Sequence, residues 1–373
     1  MMMKALFAAI LCLCLTAMPS AARAEEWKTK AGNPAANLVT AAQRASVASL
    51  RDIDGGLFYT MDYSADYKLD DILKANVDDV KSCIDFVRNS LLNGGNMSAG
   101  LPDAGCSAFT VRTPEGAVLC GRNFDYKMDM TAVLLRTAPK GGYRSIGMVD
   151  AGWVGYGIGS LSNGRSDLSM AVSFPYLTMD GMNEKGLTVS VLKLDGEPAR
   201  QEGGKPRIMT TVAIRLMLDR AADIDEALAL LRNYDMYSPM PDANFHFLLS
   251  DASGRSAVLE YSNNKMVALD ENYATNFYLD PEMKALGHGK ERYQILKSVL
   301  DFKKNIMTEG EAMALLSLVS QPETEASTSM TQWSALYDLT ALELTVAIRR
   351  NYEKLFHFSI DDKDGAAAEL KSR

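Results

Sequence analysis

The segment Gly105-Cys106-Ser107-Ala108-Phe109 sets a nucleophilic thiol directly after a glycine. Glycine tolerates strained backbone and lets the thiol approach the carbonyl before it. If the Gly105–Cys106 bond breaks, Cys106 gains a free α-amine, and one residue then carries both nucleophile and base. An α-amine has a pKa of about 8, near enough to neutrality to take the thiol proton at working pH. Arg122 and Asp125 follow in Gly121-Arg122-Asn123-Phe124-Asp125-Tyr126. An arginine beside the thiol would lower its pKa, and a carboxylate would accept a hydrogen bond from the new amine. Residue types alone leave two plainer readings open: a buried structural thiol and a surface ion pair.

These groups meet only if the chain between them doubles back. Ser107–Arg112 and 117–120 read as strands on either side of Thr113-Pro114-Glu115-Gly116, a hairpin that returns Arg122 and Asp125 toward Cys106. Further strands are expected at 132–137, 187–194, 245–250 and 256–261, the last two paired across Asp251-Ala252-Ser253-Gly254-Arg255. Capping boxes at Asp223/Glu226 and Thr308/Glu311 open helices, and strands return at 332–339, 343–349 and 354–360. Ahead of Cys106 the pattern is mostly helical. Asn76 with Asp79 predicts a cap for Val77, Val80, Ile84, Val87 and Leu91 at helical spacing. Asn93-Gly94-Gly95 ends that helix, and residues 96–105 have the composition of an exposed, cleavable connector. Strands, helices and strands again predict an α+β layered domain with antiparallel sheets.

Composition narrows the partners. A formal charge of −8 and pI near 5.1 argue against nucleic acid or an anionic membrane, which need a basic face. Lys4, the apolar run from Ala5 to Met18 and the ending Ala22-Arg23-Ala24 read as a signal peptide cut after Ala24. Cys12 and Cys14 do not stand where lipidation would need them, so no stable membrane anchor is expected and the mature chain is exported, to the periplasm or beyond. That leaves Cys83, Cys106 and Cys120, an odd count that predicts at least one working free thiol. His246, His288 and His357 lack metal-ligand spacing, and there is no Gly-rich phosphate loop. Neither a metal nor another cofactor is expected.

The run from Cys106 through Tyr126 resembles the opening of the mature chain in the choloylglycine hydrolase family, which holds bile salt hydrolases, penicillin V acylases and amidases related to acid ceramidase. Asp180-Gly181-Met182-Asn183-Glu184-Lys185-Gly186-Leu187 resembles the family's asparagine turn, Ala274-Thr275-Asn276-Phe277 its Thr-Asn segment, and Glu291-Arg292-Tyr293 its later arginine. The resemblance covers residues 106–360. It implies an N-terminal-nucleophile αββα sandwich with two central antiparallel sheets, and a self-processing amidase that hydrolyses a linear amide through a thioester. It also implies roles for six residues. Cys106 is the nucleophile, Asn183 (through its backbone N–H) and the Asn276 side chain are oxyanion donors, Asp125 holds the α-amine, Arg122 the thiolate, and Arg292 balances local charge.

The resemblance is not uniform. The long segment from Glu25 to Gly105 separates the signal site from Cys106, as in family members with a true pro-segment, and Phe277 replaces the proline-containing continuation of bile salt hydrolases. The expected division is therefore a signal peptide at 1–24, a helical pro-segment at 25–105 that is removed autocatalytically, and a catalytic domain at 106–373. The expected partner is a small-molecule acyl amide, with a homo-oligomer left open. An acyltransferase shares the chemistry up to the thioester, and an inactive binding protein would need none of these residues. A papain-like pairing of Cys106 with His246 or His288 would leave Arg122 and Asp125 without a role.

Overall fold

The computed structural model describes residues 37–93, 104–126, 130–323, 330–362 and 368–371. The expected signal peptide and most of the expected connector before Cys106 lie outside the described residues.

Two sheets stack face to face. One has seven strands, with Tyr273–Ala274, Ala104–Arg112, Val118–Tyr126, Met330–Asp338, Glu343–Ile348, Lys354–Ser359 and Ala368–Lys371 side by side and antiparallel. Every residue of its inner strand Val118–Tyr126 is buried, as expected where both faces are covered. The other sheet has nine strands. Its middle runs through Ala132–Thr137, Ser145–Asp150, Thr178–Asn183, Thr188–Asp195, Ala243–Ser250 and Ser256–Ser262. Alternation sorts the first sheet's side chains: Cys106, Ala108, Phe124 and Tyr126 enter the core between the sheets, whereas Phe109, Val111 and Leu119 pack on Leu296, Leu300 and Leu315. Those leucines belong to the helices Lys290–Lys303 and Glu309–Leu318, while Thr210–Arg220 covers the nine-stranded sheet. The result is helix, sheet, sheet, helix.

The strand expectations after Cys106 hold to within a few residues, except that the strand expected at 117–120 runs on to Tyr126. Asp223 caps its helix, but Glu226 turns to the Ala222 N–H and leaves that capping box open. Thr308 and Glu311 close the capping box ahead of Glu309–Leu318, and the hairpin turn is held by Thr113 N–H to the Ala117 carbonyl at 2.8 Å. One shift matters: the Cys106 strand begins at Ala104, so the Gly105–Cys106 bond lies inside the ladder, opposite Asp125 and Phe124.

The region before Cys106 departs from the helical expectation. Its helix Val80–Phe86 is capped by Asp79 rather than Asn76, which takes a left-handed conformation before the cap. More important, Phe58–Tyr63 is a strand of the nine-stranded sheet, parallel to Ala132–Thr137 and buried along most of its length. Its sequence, FYTMDY, is aromatic and β-branched, and two faces of apolar neighbours override the helical setting. Phe58 meets Phe356 and Phe358 edge-on across the core, and the Tyr63 hydroxyl donates to the Val172 carbonyl at 2.8 Å. The segment is part of the folded body.

Candidate active site

Register brings the predicted groups together. The Cys106 and Arg122 strands pair so that Cys106 faces Phe124 and Ala108 faces Arg122. Cys106 and Arg122 therefore share the face that looks between the sheets, and Gly105 and Asp125 share the opposite face. The thiol side meets the arginine, and the carboxylate stands across the ladder from Gly105 on the other face.

Arg122 is fully buried. Its Nη2 donates to the Val191 carbonyl at 2.7 Å, another N–H reaches the Asn123 carbonyl, and its Nε stands 3.5 Å from Asp180 Oδ2. Burial works against its charge, but Cys106, Asp180 and Asp125 outweigh that cost and hold its pKa above the ordinary arginine value. Asp180 in turn accepts from Trp333 Nε1 at 3.0 Å and the Tyr337 hydroxyl at 2.6 Å.

The second cluster centres on Arg292, the third residue of the Lys290–Lys303 helix. Its Nη1 donates to the Cys106 carbonyl at 2.7 Å and to Asp125 Oδ2 at 3.1 Å, and its Nη2 donates to Asn276 Oδ1 at 2.7 Å. Asp125 also accepts from Gln321 Nε2 at 2.7 Å and from Thr331, its cross-strand neighbour, at 2.5 Å. Asn276 lies just past Tyr273–Ala274, whose pairing of Ala274 with Ala108 carries it to Cys106. Its Oδ1 accepts the Cys106 backbone N–H at 2.6 Å, and its Nδ2 donates to the Lys193 carbonyl at 2.8 Å, leaving a second amide hydrogen.

Asn183 is not brought to this cluster. Its backbone N–H donates to the Leu187 carbonyl at 3.0 Å, and its side-chain nitrogen donates to the carbonyls of Leu218 and Ala221 at 3.0 and 2.7 Å. Its Oδ1 accepts from Lys185 and Leu187. Its backbone N–H and Oδ1 close the turn and its side-chain nitrogen ties that turn to the end of the Thr210–Arg220 helix, so the expected oxyanion role is corrected to a structural one. The residue of that motif that does reach the site is Asp180. A lone carboxylate among the apolar residues of Thr178–Asn183 was the available sequence signal. Gln321 and Thr331 had none, because neither type nor spacing links them to Asp125.

The other thiols and imidazoles lie elsewhere. Burial pushes the Cys83 thiol up to about 12 and raises that of Cys120, which disfavours thiolate at both. Among the described residues Cys83, Cys106 and Cys120 are free. His246 is bonded to Glu260 and the Thr275 carbonyl, and His288 to Asp195, so neither serves as a papain-like partner of Cys106. Among the described residues no group of His, Cys, Asp and Glu could hold a metal ion. Cys106 lines instead a largely apolar cleft walled by Phe124, Tyr126, Trp153, Val191, Lys193 and Met240.

Known proteins resemble this chain in sequence and in fold. A penicillin V acylase of Pectobacterium atrosepticum is 33% identical over 100 residues, 24% of this chain and 27% of that protein. The chain thus matches about a quarter of that relative's length. A conjugated bile acid hydrolase variant from Clostridium perfringens superposes with a TM-score of 0.53 at 16% identity, over 72% of this chain and 97% of that one. Penicillin V acylase from Agrobacterium tumefaciens gives 0.50 at 20% identity, over 71% and 91%. The two structures share the fold. The family model described as linear amide C-N hydrolases, choloylglycine hydrolase family, matches residues 106–298, over half the chain, and its match begins at the cysteine on which these contacts converge. The chain belongs to the choloylglycine hydrolase family of linear amide C-N hydrolases.

Proposed function

We propose that this protein is an exported, self-processing cysteine amidase that hydrolyses a linear amide of an apolar acyl group. The observation that carries the reading is the convergence of Asn276 and Arg292 on the backbone of Cys106, with Asp125 held beside it through Arg292, while Arg122 stands on the thiol side. In the first stage the Cys106 thiol adds to the Gly105 carbonyl, the C–N bond breaks, and the acyl group moves to sulfur. That break frees the Cys106 α-amine, and water then hydrolyses the thioester, releasing the Gly105 carboxylate and restoring the Cys106 thiol. In the second stage the thiolate adds to a substrate amide, the amine leaves with the proton carried by the α-amine, and water cleaves the thioester. Arg122 favours the thiolate, Asp125 holds the α-amine from the opposite face of the strand, and the remaining Asn276 amide hydrogen donates to the developing oxyanion. One such donor is worth about 3 kcal/mol of barrier. Arg292 holds the Cys106 carbonyl, Asp125 and Asn276 in place.

The cleft supports an apolar acyl moiety, since aromatic and sulfur-bearing side chains dominate its wall. Penicillin V and a conjugated bile acid, named for the relatives above, are the first substrates to offer. The test of the nucleophile needs no substrate. Intact mass and N-terminal sequence are measured for the purified protein and for Cys106→Ala. A wild-type fragment with the mass of the chain from Cys106 to Arg373, starting Cys-Ser-Ala-Phe, is expected, with the variant uncut. Two whole proteins beginning near Glu25 would refute the mechanism.

A further inference from the structure

The loop that carries Asn276 is held by side chains of the opposite sheet. His246, on Ala243–Ser250, and Glu260, on Ser256–Ser262, are fully buried and 3.1 Å apart from Nδ1 to Oε1. His246 Nε2 lies 2.7 Å from the Thr275 carbonyl, the residue directly before Asn276. Glu260 accepts the backbone N–H groups of Leu279 at 2.8 Å and Asp280 at 3.0 Å. Asn244, on the same face of the strand as His246, donates to the Tyr278 hydroxyl at 2.8 Å. The loop is thus pinned to the nine-stranded sheet before and after Asn276, while Tyr273–Ala274 ties its start to the Cys106 strand of the other sheet.

The hydrogen inventory shows why this pair resists replacement. The Thr275 carbonyl has no hydrogen to give, so His246 Nε2 must donate to it. Glu260 meets two backbone donors and His246 Nδ1, so at least one further proton sits between imidazole and carboxylate. Neither residue has a polar contact with Cys106, Arg122, Asp125 or Arg292 among the described residues. A buried pair of this kind is often no more stabilising than apolar residues of the same volume. What it adds is direction, because three backbone groups of one loop each find a fixed partner.

We propose that His246 and Glu260 are positioning residues that act through the 275–280 loop to hold Asn276 at Cys106. The proposal rests on the reading of Asn276 as a working donor at the scissile group. The assay is self-cleavage of the full chain made by cell-free synthesis, followed by intact mass over time. The variants are Asn276→Ala, the shape-preserving double variant His246→Phe/Glu260→Leu, the milder Glu260→Gln, and the double variant combined with Asn276→Ala. Asn276→Ala is expected to slow cleavage about 100-fold. The double variant and Glu260→Gln are each expected to slow it about 10-fold, with native melting retained by Glu260→Gln, and neither adds to the loss once Asn276 is gone. A merely structural pair would not give that non-additivity. Cleavage at the wild-type rate in Glu260→Gln and the double variant, with Asn276→Ala impaired, overturns the positioning role alone. A fully additive loss does the same. Wild-type cleavage by Asn276→Ala overturns the role of Asn276, and the positioning role with it.

Discussion

Arg292→Lys keeps the charge near Asp125 but removes the planar fork. In the native chain that fork makes three bonds at once: 2.7 Å to the Cys106 carbonyl, 3.1 Å to Asp125 and 2.7 Å to Asn276. Lysine is a point charge on a flexible stem and cannot meet three acceptors in one plane. Hydrogen bonds to a charged group are worth about 1.5–3 kcal/mol each. If the ammonium settles on the Asp125 carboxylate, two of the three are lost, and water or a shifted side chain recovers part of their value. A net loss of about 3 kcal/mol corresponds to a rate roughly 100-fold lower. The same substitution should cost little stability, because Asp125 keeps a cation together with Gln321 and Thr331. The measurement is self-cleavage of cell-free-synthesised chain by intact mass, beside thermal melting. Cleavage within about threefold of wild type would refute the argument that fork geometry, rather than charge alone, organises Cys106 and Asn276.

Other perturbations separate the remaining elements. Asp180→Asn strands the buried Arg122 cation and is expected to lower unfolding stability by about 3–5 kcal/mol, read from denaturant titration. Once the chain has cleaved at Cys106, the piece holding Phe58–Tyr63 should co-elute with the larger fragment on native size exclusion and part from it only in denaturant. Elution of the large fragment alone would contradict the integrated strand. Asp150 is fully buried, and burial raises its carboxyl pKa to about 7. A carboxyl with a raised folded pKa binds its proton more tightly when folded. Its contribution to stability is therefore full below the unfolded value of about 4 and is lost as pH rises through 7. Asp150→Asn should raise the melting temperature at pH 8 and leave it unchanged near pH 4; equal shifts at both would refute the assignment.

Much of this protein was legible in its sequence because the signals are local. Alternation and turn chemistry marked the hairpin of Ser107–Arg112 and 117–120, and Thr308/Glu311 marked a helix start, since each depends on neighbours within a few positions. The hairpin also fixed that Arg122 and Asp125 return to Cys106. Tertiary structure decided what depends on partners far along the chain. The alternation of side chains along a strand put Arg122 on the thiol side and Asp125 on the other, and only the stacking of a second sheet gave Arg122 its counterion in Asp180. Asn183 has the residue type of an oxyanion donor, yet its backbone N–H is taken by the Leu187 carbonyl and its side-chain nitrogen by Leu218 and Ala221. Phe58–Tyr63 became a strand because Ala132–Thr137, on the far side of Cys106 in the chain, pairs with it in parallel, and no local propensity encodes that contact. Asn276, distant from Cys106 in sequence, reaches it because one short strand pairs with another and two buried side chains hold the loop.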